Sequence, residues 1–336
     1  MREPFSLVIQ SFGHEYEYRR AVLTILSFYS FTSRMTYPVR LYTDNPGWFA
    51  PWLDGLPIQF EYLSPERIQE MRGSIDFLHR MKIAEIEHAM APTGNNILYA
   101  DSDTFFTASP EVLLAELDEN TAFMHLQEYH FSDVDIDWRG EYGQTMKKFI
   151  SLLKSYQFYT ASGDPFPISL QDSSWNAGVM MLHHSHARLL PDVYALTDQI
   201  FSPTLNHASE QYAFSLVLQR STKLKPCDSA VYHYWYRVKK QICDEFLSRN
   251  LSSSFKRLSL EDKLKRVREW VAYLPTLFER HPLMIRDHAI QAFNEGVKWT
   301  GYRWSARLLF KSPRLFFSFV RDIAYFTCKS GSVQNA

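Results

Sequence analysis

Three cysteines in 336 residues, Cys227, Cys243 and Cys328, form neither a disulfide framework nor a thiolate metal site, which fits a reducing compartment. Long apolar runs are missing as well. No segment reaches the roughly 18 uninterrupted apolar residues of a membrane-spanning helix. The first residues lack the basic start, apolar core and small-residue cleavage site of a secretory signal. A cytoplasmic protein is therefore the expectation, with the membrane left only as a surface. An excess of one charge is absent too: 36 basic and 37 acidic side chains leave a formal net charge of -1, so no chain-wide field attracts nucleic acid. Internal repeats and low-complexity linkers are likewise missing.

What is present is apolar and patterned. At 46% hydrophobic and 15% aromatic residues the chain has ample material for a core, enough for one large domain or for one domain with an appendage. FSLVIQSF (5–12), PVRLYTD (38–44), PIQFEYL (57–63) and ILYADSD (97–103) read as strands, with helices predicted over 15–31 and about 75–90 between them. A β-rich run alternating with a helical stretch implies a mostly parallel sheet flanked by helices. Further along come TAFMHLQE (121–128), a polar and aromatic excursion to about 172, and WNAGVMMLH (175–183) as a strong strand. Helices near 185–201 and 208–219 and a short strand at AVYHYW (230–235) follow. Beyond about 245 the pattern is helical to the end, and Ser259 with Asp262 opens a helix as a capping box. The division expected is a sheet domain over 1–245 and a helical region over 246–336.

The strand NNILYADSDTFF (95–106) ends on two carboxylates, Asp101 and Asp103. Ligands in parallel sheets bind outside the carboxyl ends of strands, which is where this pair falls. An Asp after a strand also serves an Asx turn or caps the next helix, and Ser109-Pro110 supplies such a start. The chemical alternative is a hard-cation site, because oxygen ligands suit Mn²⁺ or Mg²⁺ and leave positions open for phosphate oxygens.

HRMKIAEIEHAMAPTGNNILYADSDTFF, WNAGVMML about 70 residues later, then ASEQYAFSLVL and VYHYW together resemble the GT-A nucleotide-sugar glycosyltransferases, most closely family 8, over roughly residues 5 to 240. The resemblance implies a Rossmann-like GT-A sheet, mixed but mostly parallel, with a C-terminal helical extension. It implies Asp101, Asp103 and His233 as ligands of Mn²⁺ or Mg²⁺, with Ser102 between the two acids at the donor. Arg80 and Lys82 match the basic residues that hold the donor, although two residues apart they do not share a helical face. Asn176, Ala177 and Gly178 match the strand start that meets the donor sugar, and Glu210 and Gln211 match the acid-amide pair beside the anomeric carbon. Lys239 lies six residues after His233, as the family's diphosphate-binding lysine does. Lys240 and Gln241 stand where the family has Pro-Trp, so Lys239 and Lys240 both stay open for that role. After the first strand the chain reads Ser11-Phe12-Gly13-His14-Glu15-Tyr16 instead of the family's base-recognition pattern, which leaves the nucleotide base open.

The activity implied is transfer of a sugar from a nucleotide diphosphate donor, a UDP-sugar first, to a hydroxyl of a glycan or glycolipid acceptor with retention of configuration. An inverting enzyme instead needs a carboxylate base, for which Asp172 and Glu128 are the candidates. Two rivals remain. A non-catalytic scaffold of a glycan assembly complex predicts a lost metal triad, and a nucleotidyltransferase needs a Gly-rich basic loop where QSFGHEYEY has one glycine and no lysine.

The last stretch, from Lys298 to Lys329, sets seven basic side chains against one acid, Asp322, and is rich in Trp and Phe. At about 100° per residue the basic residues from Arg303 onward fall within roughly 80° of one another. Ser312-Pro313 splits the stretch into two short helices. Such segregation suits an anionic membrane surface as a partner, or a helix pair packing its aromatic face.

Overall fold

The computed structural model describes residues 5–91, 94–134 and 140–321. Cys328, Asp322, Phe326 and Lys329 lie outside them. The described chain divides into two compact units: residues 5–233 with 251–268, and 234–250 with 269–321.

In the first unit the strands, in chain order, are β1 (Phe5–Gln10), β2 (Val39–Thr43), β3 (Ile58–Tyr62), β4 (Asn96–Ala100), β5 (Thr104–Phe106), β6 (Thr121–Met124), β7 (Gln127–His130), β8 (Phe158–Tyr159), β9 (Pro165–Phe166), β10 (Ser173–Trp175), β11 (Val179–Leu182), β12 (Lys223–Pro226) and β13 (Val231–His233). Seven of them form one sheet in the order β12-β6-β11-β4-β1-β2-β3. Its pairings are parallel except on the two sides of β11, which runs antiparallel to β4 and β6. This is the mostly parallel, mixed α/β sheet that the alternating sequence pattern implies. β2 and β4 are buried along their whole length and β1 along all but its last residue. That explains why β1 and β4 read as nearly continuous apolar runs, while β2 takes in the buried Arg40.

Chain order turns around between β1 and β4, since β2 and β3 lie on one side of β1 and β4 on the other. A crevice forms outside the carboxyl ends of strands at such a point because the two connecting loops leave in opposite directions. The residues that follow β4 are Asp101, Ser102 and Asp103.

Two small antiparallel pairs finish that end of the sheet. β13 pairs with β5, with His233 opposite Thr104, and Tyr232 stacks on Phe105 at 5.1 Å. β10 pairs with β7, and its register shifts between Ser174 and Trp175. The helix Glu15–Phe31, buried through its centre, locks the acidic loop: Thr24 Oγ1 contacts the carbonyls of Ser102 (3.0 Å) and Thr104 (2.7 Å), and the Phe106 amide donates to Ser27 Oγ (2.9 Å).

The segment Leu260–Arg280 begins with the capping box read in the sequence, the Asp262 amide donating to Ser259 Oγ (3.1 Å). The excursion after β7 contains a helix, Gly140–Ser155, that periodicity did not single out.

The second unit is helical and includes Arg237–Asn250, Pro282–Asn294, Lys298–Lys311 and a helical run over 313–321. The break at Ser312-Pro313 is therefore real. Ile285, Ala289, Leu308 and Phe319 form its small core, with Phe293, Trp304, Leu315 and Phe316 packed around them.

Candidate active site

Asp101, Asp103 and His233 converge: each presents one donor atom, and the three atoms lie within 4.8 Å of one another. They come from different places in the chain. Asp101 is where β4 runs out, held by its own amide donating to the Gly178 carbonyl (2.8 Å). Asp103 precedes β5, and the β5/β13 register brings His233 beside it, Nε2 3.3 Å from Asp103 Oδ1. Asp103 and His233 are buried while Asp101 keeps about a quarter of its side chain exposed, at 28%. The cluster is closed by protein behind and open at Asp101, as a cation site that shares its ion with a substrate requires.

Behind Asp101 lies a buried charge network. Lys82 Nζ donates to Asp101 Oδ2 (3.2 Å) and to the Ala177 carbonyl (3.1 Å), with Glu210 Oε1 at 3.4 Å. Tyr99 donates its hydroxyl to Asp101 Oδ1 (2.9 Å). Burial opposes the Lys82 ammonium, but the charges of Asp101 and Glu210 outweigh it and leave its pKa above the ordinary value. Glu85, one helical turn after Lys82 on Met81–Met90, is fully buried. Its carboxyl is pushed well above the usual range by burial and then by the charge of Asp101. Lys82 thus carries the positive charge for a site that would otherwise be all carboxylate. Glu210 opens the helix Ser209–Ser221 and keeps a buried Oε2 with no partner among the described residues.

His233 is oriented from its far side. Nδ1 lies 2.8 Å from Asn176 Oδ1, and the same oxygen accepts from the Gly178 amide at 3.0 Å. Gly178 has an ordinary negative φ, so strain does not select glycine there. A Cβ at Gly178 would lie 2.0 Å from His233 Cε1, and the imidazole occupies that space. Gly178→Ala is accordingly expected to displace the ring and weaken divalent-metal affinity, at a cost of about 1–3 kcal/mol of stability for the crowding, as read by calorimetric titration beside a thermal melt. Unchanged metal affinity would separate His233 from the metal.

The remaining residues named from the sequence divide clearly. Asn176, Ala177, Gly178, Glu210, Gln211 and Lys82 all join the network around the acidic pair. The Ala177 amide donates to Gln211 Oε1 (3.3 Å). Ser102 turns to the helix Glu15–Phe31, its hydroxyl donating to Glu17 Oε2 (2.7 Å). Arg80 is not brought into the cluster: its guanidinium pairs with Asp198 (2.9 Å) and lies over the Tyr194 ring. Of the two basic residues only Lys82, on the helix Met81–Met90, reaches Asp101, since Arg80 lies in the 3₁₀ turn Leu78–Arg80 before it. Lys239 is in the first turn of Arg237–Asn250, in the second unit.

Both candidates for an inverting base have other partners. Asp172 pairs with Arg220 (3.0 Å) and accepts from the Ser169 amide. Glu128 accepts from Asn176, Ser174 and Gln211. Sequence reasoning did not single out Tyr99, Glu85 or Glu17. The available signals were the tyrosine two residues before Asp101, inside the quoted strand, and the three-residue spacing of Lys82 and Glu85.

No protein-family model matches the chain, and no curated protein does. Solved structures do. Mouse xyloside xylosyltransferase 1 matches at 13% identity and a TM-score of 0.43, over 67% of this chain and 85% of that one. The galactosyltransferase LgtC, solved with donor and acceptor sugar analogs, matches at 14% identity and a TM-score of 0.43, over 73% and 94%. The glycosyltransferase GlyE of Streptococcus pneumoniae matches at 12% identity and a TM-score of 0.46, over 80% and 63%.

Proposed function

We propose that this protein is a metal-dependent GT-A glycosyltransferase that moves a sugar from a nucleotide diphosphate donor, a UDP-sugar, to a hydroxyl of a glycan or glycolipid acceptor, with retention. The observation that carries this reading is the convergence of Asp101, Asp103 and His233 at the carboxyl end of β4, with Lys82 and Glu210 directly behind it. The donor set, two carboxylates and an imidazole with one side open, fits Mn²⁺ or Mg²⁺. A bound ion would neutralise charge on the departing diphosphate.

The chain's own groups do the rest. Lys82 adds positive charge behind Asp101, so the site tolerates further negative charge from a diphosphate. Glu210, whose Oε2 is unsatisfied, is the carboxylate available to face positive charge developing at the anomeric carbon. Gln211, fixed between the Ala177 amide and Glu128, offers no base. The engagement of Asp172 and Glu128 with other partners supports retention over inversion. A non-catalytic scaffold accounts poorly for an intact, pre-arranged triad, and a nucleotidyltransferase for a loop after β1 whose glycine amide is given to Asp44 (3.1 Å).

A screen of nucleotide sugars for hydrolysis, with Mn²⁺ and with chelator, tests the proposal. One donor is expected to be cleaved to its nucleoside diphosphate only when metal is present. Hydrolysis of none, or equal hydrolysis in chelator, would refute it.

We further propose that the acceptor is held at an anionic membrane surface and that the second unit docks there, which places the protein on the cytoplasmic face. Between Lys298 and Arg321 the chain has six basic residues and no acid. Trp299 (74%), Phe310 (87%) and Phe317 (66%) stand out of the surface. Exposed aromatic rings beside basic side chains combine apolar burial with attraction to anionic headgroups. Leu308 and Phe319 are core residues, so the test uses surface substitutions and not truncation. The triple variant Trp299→Ser, Phe310→Ser, Phe317→Ser is expected to lose binding to phosphatidylserine vesicles by about tenfold or more while keeping its melting temperature. Failure of the unaltered chain to bind such vesicles at low salt would remove the membrane role.

A further inference from the structure

We infer that the helix Lys298–Lys311 carries a pocket for the terminal phosphate of a membrane lipid, a phosphomonoester headgroup held by Thr300, Arg303 and Arg307. This rests on the second unit docking at an anionic membrane surface, and it names the headgroup. Thr300, Arg303, Trp304 and Arg307 line a cavity of about 300 Å³. Their three- and four-residue spacing puts them on one side of the helix. Arg307 lies over the Trp304 ring at 5.1 Å, and Trp304 in turn stacks on His288 at 4.8 Å.

Stacking engages the face of a guanidinium and leaves its N–H edge free, a fork that matches phosphate oxygens two at a time. Neither guanidinium has a hydrogen bond or ion pair among the described residues, and the helix contains no acid. Two unneutralised positive charges at one cavity call for an anion of similar charge. A phosphomonoester carries about -1.5 to -2 at neutral pH and offers three acceptor oxygens, whereas a phosphodiester or a carboxylate carries a single charge.

The position on the helix favours a lipid over a soluble phosphate. At about 100° per residue, Gly301 and Leu308 lie within about 20° of each other, and they are the residues this helix buries. Trp299 and Phe310, 74% and 87% exposed, point the opposite way. Arg303 and Arg307 fall between the two directions, about 40° and 80° round from Trp299. Rings that face away from the protein enter the acyl region, which leaves the flanking arginines at the depth of the phosphates.

The experiment measures co-sedimentation with phosphatidylcholine vesicles that contain either phosphatidic acid or phosphatidylserine, matched in surface potential. It compares the unaltered chain, Arg303→Gln with Arg307→Gln, and Lys298→Gln with Arg314→Gln, which removes the same charge outside the cavity. The unaltered chain is expected to bind the phosphatidic acid vesicles about tenfold more tightly. Arg303→Gln with Arg307→Gln should lose that preference and keep its melting temperature, both side chains being exposed. Lys298→Gln with Arg314→Gln should bind both vesicles more weakly and keep the preference. Calorimetric titration with glycerol 3-phosphate is expected to give millimolar affinity at best, because the apolar contacts are missing.

Equal binding of the two vesicles by the unaltered chain, or a preference that survives Arg303→Gln with Arg307→Gln, overturns the inference and leaves the membrane reading in place. Glycerol 3-phosphate bound as tightly as the vesicles assigns the cavity to a soluble ligand and overturns it as well. Binding to neither vesicle removes the membrane reading, and the lipid pocket with it.

Discussion

Asp103→Ala is expected to abolish sugar transfer, by about a thousandfold or more, and to remove stimulation by Mn²⁺. Asp103 is the buried carboxylate of the triad and the one that meets His233 Nε2. Without it the two remaining donors, one of them partly exposed, hold an ion too weakly to offset charge on the leaving diphosphate. A Lewis acid supplies several kcal/mol of transition-state stabilisation, and each 1.4 kcal/mol is about a factor of ten in rate. Steady-state assays across a Mn²⁺ titration measure this. A variant that regains full activity at high metal concentration has lost only affinity, whereas one that stays metal-stimulated at ordinary concentrations shows that the ion sits elsewhere.

Lys82→Met should cost stability as well as activity. The ammonium is the counter-charge for Glu210, whose side chain is 5% exposed, and for Asp101. Removing one partner of a buried pair leaves the other charge uncompensated, at about 3–5 kcal/mol. Adding Glu210→Gln to Lys82→Met should restore most of the stability and none of the transfer activity. A double variant as unstable as the single one would mean that Lys82 acts chiefly through the Ala177 carbonyl and Asp101. Thermal melts and denaturant titrations of the four proteins form the cycle that separates these outcomes.

The fold was legible where one physical signal dominates. Buried strands announce themselves as nearly continuous apolar runs, and β1 and β4 fall where those runs do, while β2 falls on the β-rich PVRLYTD. The edge strand β12, KLKP, was not foreseen, because two lysines and a proline in four residues carry no strand signal. The same holds for β5, whose three residues gain their identity only from pairing with β13.

For the site, two acids at the end of an apolar strand pointed to Asp101 and Asp103. His233 was reached through family resemblance, since a three-residue strand does not reveal its register. The sequence already denied Arg80 and Lys82 a common helical face, and the structure separates them further, Arg80 in the turn before the helix and paired with Asp198, Lys82 on the helix and paired with Asp101. The engagement of Glu128 was hidden because its partners Ser174, Asn176 and Gln211 are 46 or more residues away in the chain, joined by tertiary hydrogen bonds. Glu85 sits in an ordinary amphipathic helix, and its three-residue spacing from Lys82 does not by itself distinguish it from a solvated acid.

The most direct test of the account is a calorimetric titration of Mn²⁺ into the full chain in the presence of UDP, repeated with Asp103→Ala and His233→Ala. The account predicts a single saturable ion site in the unaltered chain that is lost in Asp103→Ala and weakened by about 10-fold or more in His233→Ala, both variants remaining folded. Absence of a site in the unaltered chain, or equal binding in all three proteins, would contradict it.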